Sequence, residues 1–173
     1  MSKSSYVNGR LFYCLSLCVV FTLWFAGTAV SGEAVSGEVA PPFRLQTIDK
    51  GEFTLKAAKG SVVVINFWAS WCGPCKVEAP HFEKAYREFK ASGVKFIGIA
   101  IDDSTDDVKA FVKREGLSFP IGLDDTGDIA KLYGVRALPK TVIVGKDGRI
   151  KLSRMGLIRE AELFTEIRRN LQR

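Results

Sequence analysis

Apolar positions along this chain fall into patterns that name its elements. An uncharged run, Leu11–Gly32, has an apolar heart at Leu11–Ala26. Two shorter runs, Val62–Trp68 and Val94–Ile101, are almost continuously apolar and bounded by Gly or polar residues. Runs of that length read as strands buried on both faces. Between them Phe82, Ala85, Tyr86 and Phe89 recur at helical spacing, which predicts a helix from about Cys72 to Ser92, stopped by Gly93. Pro80 lies inside it and should kink it. A second stripe, Leu163, Phe164, Ile167 and Leu171, marks an amphipathic helix over Glu160–Leu171.

The weaker elements fill the gaps. Phe43–Ile48 and Glu52–Leu55 flank Asp49-Lys50-Gly51, a short hairpin. Ser104 or Thr105 can cap a helix over Asp106–Glu115, with acids in its first turn favoured by the helix dipole. Phe119–Leu123 reads as a short strand and Asp125–Tyr133 as a short helix ended by Gly134. Thr141–Val144 and Arg149–Ser153 flank Lys146-Asp147-Gly148, a second hairpin signal. Strands alternate with helices, then a hairpin and a helix close the chain. The fold class is therefore α/β, a mixed central sheet flanked by helices.

Lys3 and Arg10 precede the first apolar run, and small residues follow it. That order makes residues 1–32 a secretory signal peptide or a retained signal anchor. Leu11–Val30 is 20 residues, about enough at ~1.5 Å each to cross a ~30 Å hydrocarbon layer. Gly27 with Ala29, and Ala29 with Ser31, also fit a small-x-small cleavage site. Either way the rest of the chain is placed outside the cytoplasm, because the cations stay inside. Residues 33–42 form a linker ending in two prolines, and residues 43–173 the folded domain.

Composition changes little of this. With 173 residues, 47% hydrophobic and 25% charged, the chain is an ordinary one-domain globular protein. The net charge of +6 is unevenly spread: residues 102–128 hold eight acids against three bases, and residues 131–173 eleven bases against four acids. No aromatic-rich nucleic-acid motif accompanies the basic stretch, so it reads as solvated surface and no nucleic-acid partner is expected.

Four cysteines are too few for a disulfide-stapled scaffold. Cys14 and Cys18 lie in the apolar run and read as small apolar residues; Leu17 does not suit a lipoprotein signal at Cys18. Cys72 and Cys75 remain, in Trp71-Cys72-Gly73-Pro74-Cys75, where the first buried strand meets the first helix. Lys76, where haem attachment needs His, argues against haem. One histidine, His81, with two thiols falls short of a closed zinc site, so no metal and no cofactor is expected. A structural disulfide across so short a loop would remove little unfolded-state entropy. Redox chemistry is the favoured reading.

The placement gives that reading a mechanism. Cys72 would sit at a helix N-terminus, where free N–H groups and the dipole stabilise a thiolate. Pro74 is tolerated in a first turn. Cys72 would attack a partner disulfide, and Cys75, one turn in, would resolve the mixed disulfide. His81 lies about 180° around the helix from Cys72 and reads as a satisfied or exposed histidine. Trp68 is expected in the core.

The run Asn66-Phe67-Trp68-Ala69-Ser70-Trp71-Cys72-Gly73-Pro74-Cys75 resembles the active-site segment of thioredoxin-fold proteins, and more closely that of the exported TlpA/ResA-like thiol–disulfide oxidoreductases. Ala40-Pro41-Pro42-Phe43, Glu78-Ala79-Pro80, Tyr133-Gly134-Val135-Arg136 and Leu138-Pro139 support the likeness, which spans roughly residues 37–158. The inserted helix and strand at 104–123 match this subgroup too. The resemblance implies a thioredoxin-like fold with an N-terminal β-hairpin and a redox-active Cys72–Cys75 disulfide. It also implies a cis Pro139 facing the cysteines, with Leu138 presenting backbone to an extended substrate. Trp71, Gly73 and Pro74 would complete the substrate surface. Asn66 stands where thioredoxin has a buried Asp; by the resemblance Glu78 takes over proton exchange with Cys75, one helical turn away. Lys140 departs from the small or Thr residue of many relatives and is expected to bear on substrate choice.

The resemblance further implies disulfide-containing exported partners, such as apocytochrome c or oxidase subunits under assembly, and a membrane thiol transporter as electron donor. Location in the periplasm or on the outer face of the cytoplasmic membrane, with membrane anchoring there, goes with it. The Gly-Pro dipeptide favours a reductase over a disulfide-forming oxidase, whose large helical insertion is missing. Ala69 and the proline-free Val62–Trp71 argue against a peroxidase. A copper-binding assembly factor remains the alternative of another class, since two thiolates can hold Cu(I).

Overall fold

The computed structural model describes residues 36–173. The signal or anchor segment, Cys14, Cys18 and the first residues of the linker lie outside the described residues. The chain forms β1 (Arg44–Gln46), β2 (Glu52–Thr54), β3 (Val63–Trp68), α1 (Gly73–Phe89), β4 (Lys95–Ala100) and α2 (Thr105–Glu115). Then come β5 (Ile121–Leu123), α3 (Asp128–Leu132), β6 (Lys140–Val144), β7 (Ile150–Met155) and α4 (Glu160–Leu171). Among the described residues no helix is long and apolar enough to cross a membrane.

The central sheet has the order β5-β4-β3-β6-β7. β3, β4 and β5 are parallel, β6 runs antiparallel to them, and β7, antiparallel to β6, runs in their direction again. β3 lies in the middle and all its residues are buried, as its unbroken apolar run requires. Its side chains alternate between the two faces. Val64 and Trp68 join Phe82, Phe111, Leu163 and Ile167 in one core. Ile65 and Phe67 join Phe43, Ile99, Tyr133 and Ile150 in the other. Asn66 shares the parity of Val64 and Trp68, so it points at the face that carries α1.

The β1–β2 hairpin packs on the edge strand β5, where Ile48 N–H donates to the Ile121 carbonyl and Thr47 bridges Gly122. A Cβ on Gly122 would lie 2.5 Å from the Gln46 carbonyl oxygen, so only glycine permits this approach. α2 starts as its sequence predicts: the Ser104 hydroxyl accepts from Asp107 N–H at 3.1 Å, and Gly116, at φ 65°, ends it.

One boundary and one buried stripe differ from the sequence reading as follows. α3 begins at Asp128, because residues 124–127 make a turn closed by Gly127 at φ 70° and by the Asp124 carboxylate, which accepts from Ala130 N–H. In α4 the buried stripe is Leu163, Phe164, Ile167 and Asn170, with Leu171 half-buried. The Asn170 amide donates within the helix to the Glu166 carbonyl at 2.8 Å, while its buried Oδ1 has no partner among the described residues. α1 runs through Pro80.

Candidate active site

β3 ends at Trp68, and four residues later Cys72 caps α1 in an extended conformation, with its Sγ accepting from Cys75 N–H at 3.3 Å. Cys72 and Cys75 form a disulfide with Cα atoms 5.3 Å apart. Both are buried, at 5% and 2% exposure, while Gly73 and Pro74 between them are exposed. A Cβ on Gly73 would meet nothing within 4 Å, so glycine here leaves the approach to the sulfurs open and is not forced by packing. Pro74 lies in the first turn, where its missing N–H costs nothing.

The loop carrying the cysteines is tied down from its neighbour. The Asp103 carboxylate accepts from Ser70 N–H at 2.5 Å and from the Ser70 hydroxyl at 2.9 Å. The Trp71 indole N–H donates to the Asp102 carbonyl at 2.8 Å, although the ring itself is 62% exposed. Trp71 therefore stands as a fixed apolar plate beside Cys72. Ser70, Trp71, Asp102, Asp103, Ser104 and Asp107 line an open acidic hollow of about 630 Å³ next to it. Asp102 and Asp103 are site residues the sequence reading missed; only the acid-rich start of residues 102–128 could have drawn attention to them.

The peptide Leu138–Pro139 is cis. Lys140 pairs with Phe67 in the β3–β6 ladder, so Pro139 sits at the same end of the sheet as Trp68 and the cysteine loop. The Pro139 carbonyl accepts from Gly156 N–H at 2.7 Å, which joins the cis loop to the end of β7. Leu138 is half-buried and packs against both cores. Lys140 does not reach this surface. Its side chain turns into the other core, 2% exposed, and its ammonium donates to the carbonyls of Tyr133 (2.6 Å) and Gly134 (3.1 Å) at the end of α3. It braces the chain behind the cis loop, so any bearing on substrate choice would come through the placement of that loop.

Behind the disulfide lies Glu78, 1% exposed. One carboxylate oxygen accepts from the Asn66 amide at 2.8 Å, the other from Ile158 N–H at 3.1 Å. Burial lifts its pKa from the ordinary 4.5 to about 7, with the two hydrogen bonds pulling the other way. Asn66 and Cys75 share the wall of a cavity of about 10 Å³, together with Trp68 and Phe111. Trp68 is in the core as expected, its ring 4.5 Å from that of Phe111 and its indole N–H without a partner among the described residues. His81 is half-buried, and its buried Nδ1 has no partner among the described residues. Among the described residues no group of three or more His, Cys, Asp and Glu side chains is arranged to hold a metal ion.

Comparison with known proteins sets this geometry in context. Residues 36–153 match the AhpC/TSA family. The chain is 36% identical over 143 residues to the thiol–disulfide oxidoreductase ResA of Bacillus thuringiensis subsp. konkukian, covering 82% of this chain and 83% of that one. It is 30% identical over 145 residues to ResA of Bacillus subtilis, covering 84% and 81%. Among solved structures it resembles a protein from Chlorobium tepidum described as a thiol:disulfide interchange protein DsbE. That match has a TM-score of 0.75 at 30% identity, over 80% of this chain and 99% of the other.

Proposed function

Given that this chain belongs to the AhpC/TSA family and is a thiol–disulfide oxidoreductase, we propose that it acts outside the cytoplasm as a reductant of protein disulfides, through Cys72 and Cys75. The observation that carries the reading is the buried pair at the start of α1 with the Glu78 carboxyl behind it.

In the dithiol form, the Cys72 thiolate is stabilised by the N–H groups of the first turn of α1. It attacks one sulfur of a partner disulfide, forming a mixed disulfide and releasing the other sulfur as a thiolate. Cys75 then gives up its proton and attacks Cys72 Sγ. The mixed disulfide breaks, the partner leaves as a dithiol, and Cys72–Cys75 closes with two electrons transferred. Glu78, held near 7, takes the Cys75 proton and returns it when the pair is reduced again. Trp71, Gly73 and Pro74 on one side, and Leu138 with cis Pro139 on the other, form the surface against which an extended partner segment lies. Likeness to ResA supports exported partners such as apocytochrome c or oxidase subunits, with renewal of the dithiol by a membrane thiol transporter.

The midpoint potential of the Cys72/Cys75 pair tests the direction. A value near or below the ~ −270 mV of thioredoxin fits a reductant, and a value near the ~ −120 mV of a strong oxidant makes the protein a disulfide donor instead.

A further inference from the structure

Basic residues gather at one end of the domain. The end away from Cys72 is where β3 and β7 begin and β6 stops. Lys56 and Lys59 follow β2 there, Lys95 opens β4 opposite Val63, and Lys146 and Arg149 lie in the β6–β7 turn. All five are exposed, and none is in an ion pair among the described residues. Of the acids nearby, Asp147 is paired with Lys151 at 2.7 Å and Glu38 is exposed. At the Cys72 end the hollow beside Trp71 carries Asp102, Asp103 and Asp107.

The basic end is also apolar between its cations. A hollow of about 360 Å³ is walled by Val39, Leu55, Ala58, Val63 and Val144, with Lys56 and Lys59 lining it too. Val39 stands 66% exposed. The chain enters the domain here: Gly37 N–H donates to the Ile150 carbonyl, Ile150 N–H donates to Glu38, and Val39 bridges Arg149. The 35 residues before Ser36, which include the apolar run Leu11–Ala26, therefore join the domain at its basic end.

We propose that this end is a docking surface for a membrane bearing anionic phospholipid headgroups, and that it holds the Cys72 end towards water. Lysines and an arginine outside ion pairs, with Lys146 and Arg149 donating, among the described residues, only to the carbonyls of Leu171 and Gly37, meet the charge of such a surface, while exposed valine beside them suits the boundary between headgroups and acyl chains. The acidic hollow beside Trp71 is repelled by the same surface, which favours the basic end facing it. The inference rests on surface charge and chain path, and it stands whichever way the disulfide runs.

The test uses the full chain with vesicles of phosphatidylcholine alone, and with vesicles in which phosphatidylglycerol makes up about a third of the lipid. Lysines are acylated briefly with an N-hydroxysuccinimide ester and read by mass spectrometry. The expected result is severalfold slower acylation of Lys56, Lys59, Lys95 and Lys146 on the anionic vesicles only. High salt should restore it, and Lys109 and Lys113 on α2 should not change. A lysine near an anionic surface changes partitioning by about fivefold, so Lys56→Glu with Lys59→Glu should weaken docking at least about 25-fold and expose Lys95 and Lys146 again. Unchanged reduction of a soluble disulfide by that variant shows that its fold is intact. Equal acylation on both vesicles overturns the proposal, as does uniform slowing that includes Lys109 and Lys113. Slowing that appears without vesicles and grows with protein concentration also overturns it, in favour of a second copy of the chain.

Discussion

Glu78→Gln removes a charge from the interior and keeps the shape of the side chain. In the oxidised protein, Glu78 ionises near 7, while in the unfolded chain it ionises near 4.5. Between those values the folded state holds a proton that the unfolded state has lost, so stability falls as pH rises. The contribution is fully present below about 4.5 and gone above about 7, and its size is about 3 kcal/mol. Because the group is 1% exposed, solvent screening does not erode that figure much. Gln cannot ionise, so the variant lacks the slope. It keeps a hydrogen-bonding option: its carbonyl can accept from Ile158 N–H, and its amide can donate to Asn66 once that amide turns over.

Urea unfolding of both oxidised proteins at steps from pH 4.5 to 8 measures the difference. The stability of Glu78→Gln relative to the parent should rise by about 3 kcal/mol over that range and level off above pH 7. The same substitution should slow partner reduction at pH 7 by about 10² or more and abolish the inflection near 7 in its pH profile. A stability difference that stays flat from pH 4.5 to 8 would refute the reasoning, because the carboxyl would then not be titrating inside the fold.

Cys75→Ser should stop the cycle after the first attack and accumulate a partner joined to Cys72; gels run without reductant show this, and absence of any such adduct counts against Cys72 as the attacking sulfur. Asn66→Ala withdraws a hydrogen bond that favours the ionised Glu78, so the pH inflection should move above about 7, and an unmoved or lowered inflection contradicts the assigned contact. Gly98→Ala places a Cβ 2.9 Å from Trp68 Nε1 and 3.1 Å from Ile121 and Phe119 side-chain atoms. It should cost about 1–3 kcal/mol in urea unfolding, and no loss would mean that this wall of the core has slack.

The elements legible in the sequence are those written in local pattern. β3 is buried on both faces, and its residues are almost all apolar. α2 carries its own cap at Ser104 and its own stop at Gly116. Cys72, Gly73, Pro74 and Cys75 are contiguous, so their placement at the start of α1 follows from finding the strand and the helix. Illegible features depend on partners far away in the chain. Asn66 and Glu78 are 12 residues apart, and Glu78 and Ile158 are 80 apart. Lys140 shows the limit most plainly. A lysine after Pro139 stands out in the sequence, yet nothing there tells that strand parity sends it to the face where the carbonyls after α3 receive it. The tether from Asp103 to Ser70 is equally hidden, since it joins loops after different strands.

Two glutamates on α1 show what finally separates a structural acid from one poised to move a proton. Glu78 and Glu83 are both buried on the same helix, and either could pass in sequence for a solvated helix acid. Burial pushes both carboxyls up. At Glu83 the Ser118 hydroxyl and N–H and the Arg87 guanidinium outweigh it, so the group is lowered and stays ionised. That charge staples α1 to the strand approach at Ser118. Glu78 receives a neutral amide and one backbone N–H, and no cation pairs with it among the described residues. Burial therefore wins, and the carboxyl comes to rest about half protonated near neutral pH. The difference lies in the partners together with the greater depth of Glu78, 1% against 7% exposed, and it keeps Glu83 ionised while Glu78 titrates near 7. Its position one turn beyond Cys75 is what the proposed proton exchange would use.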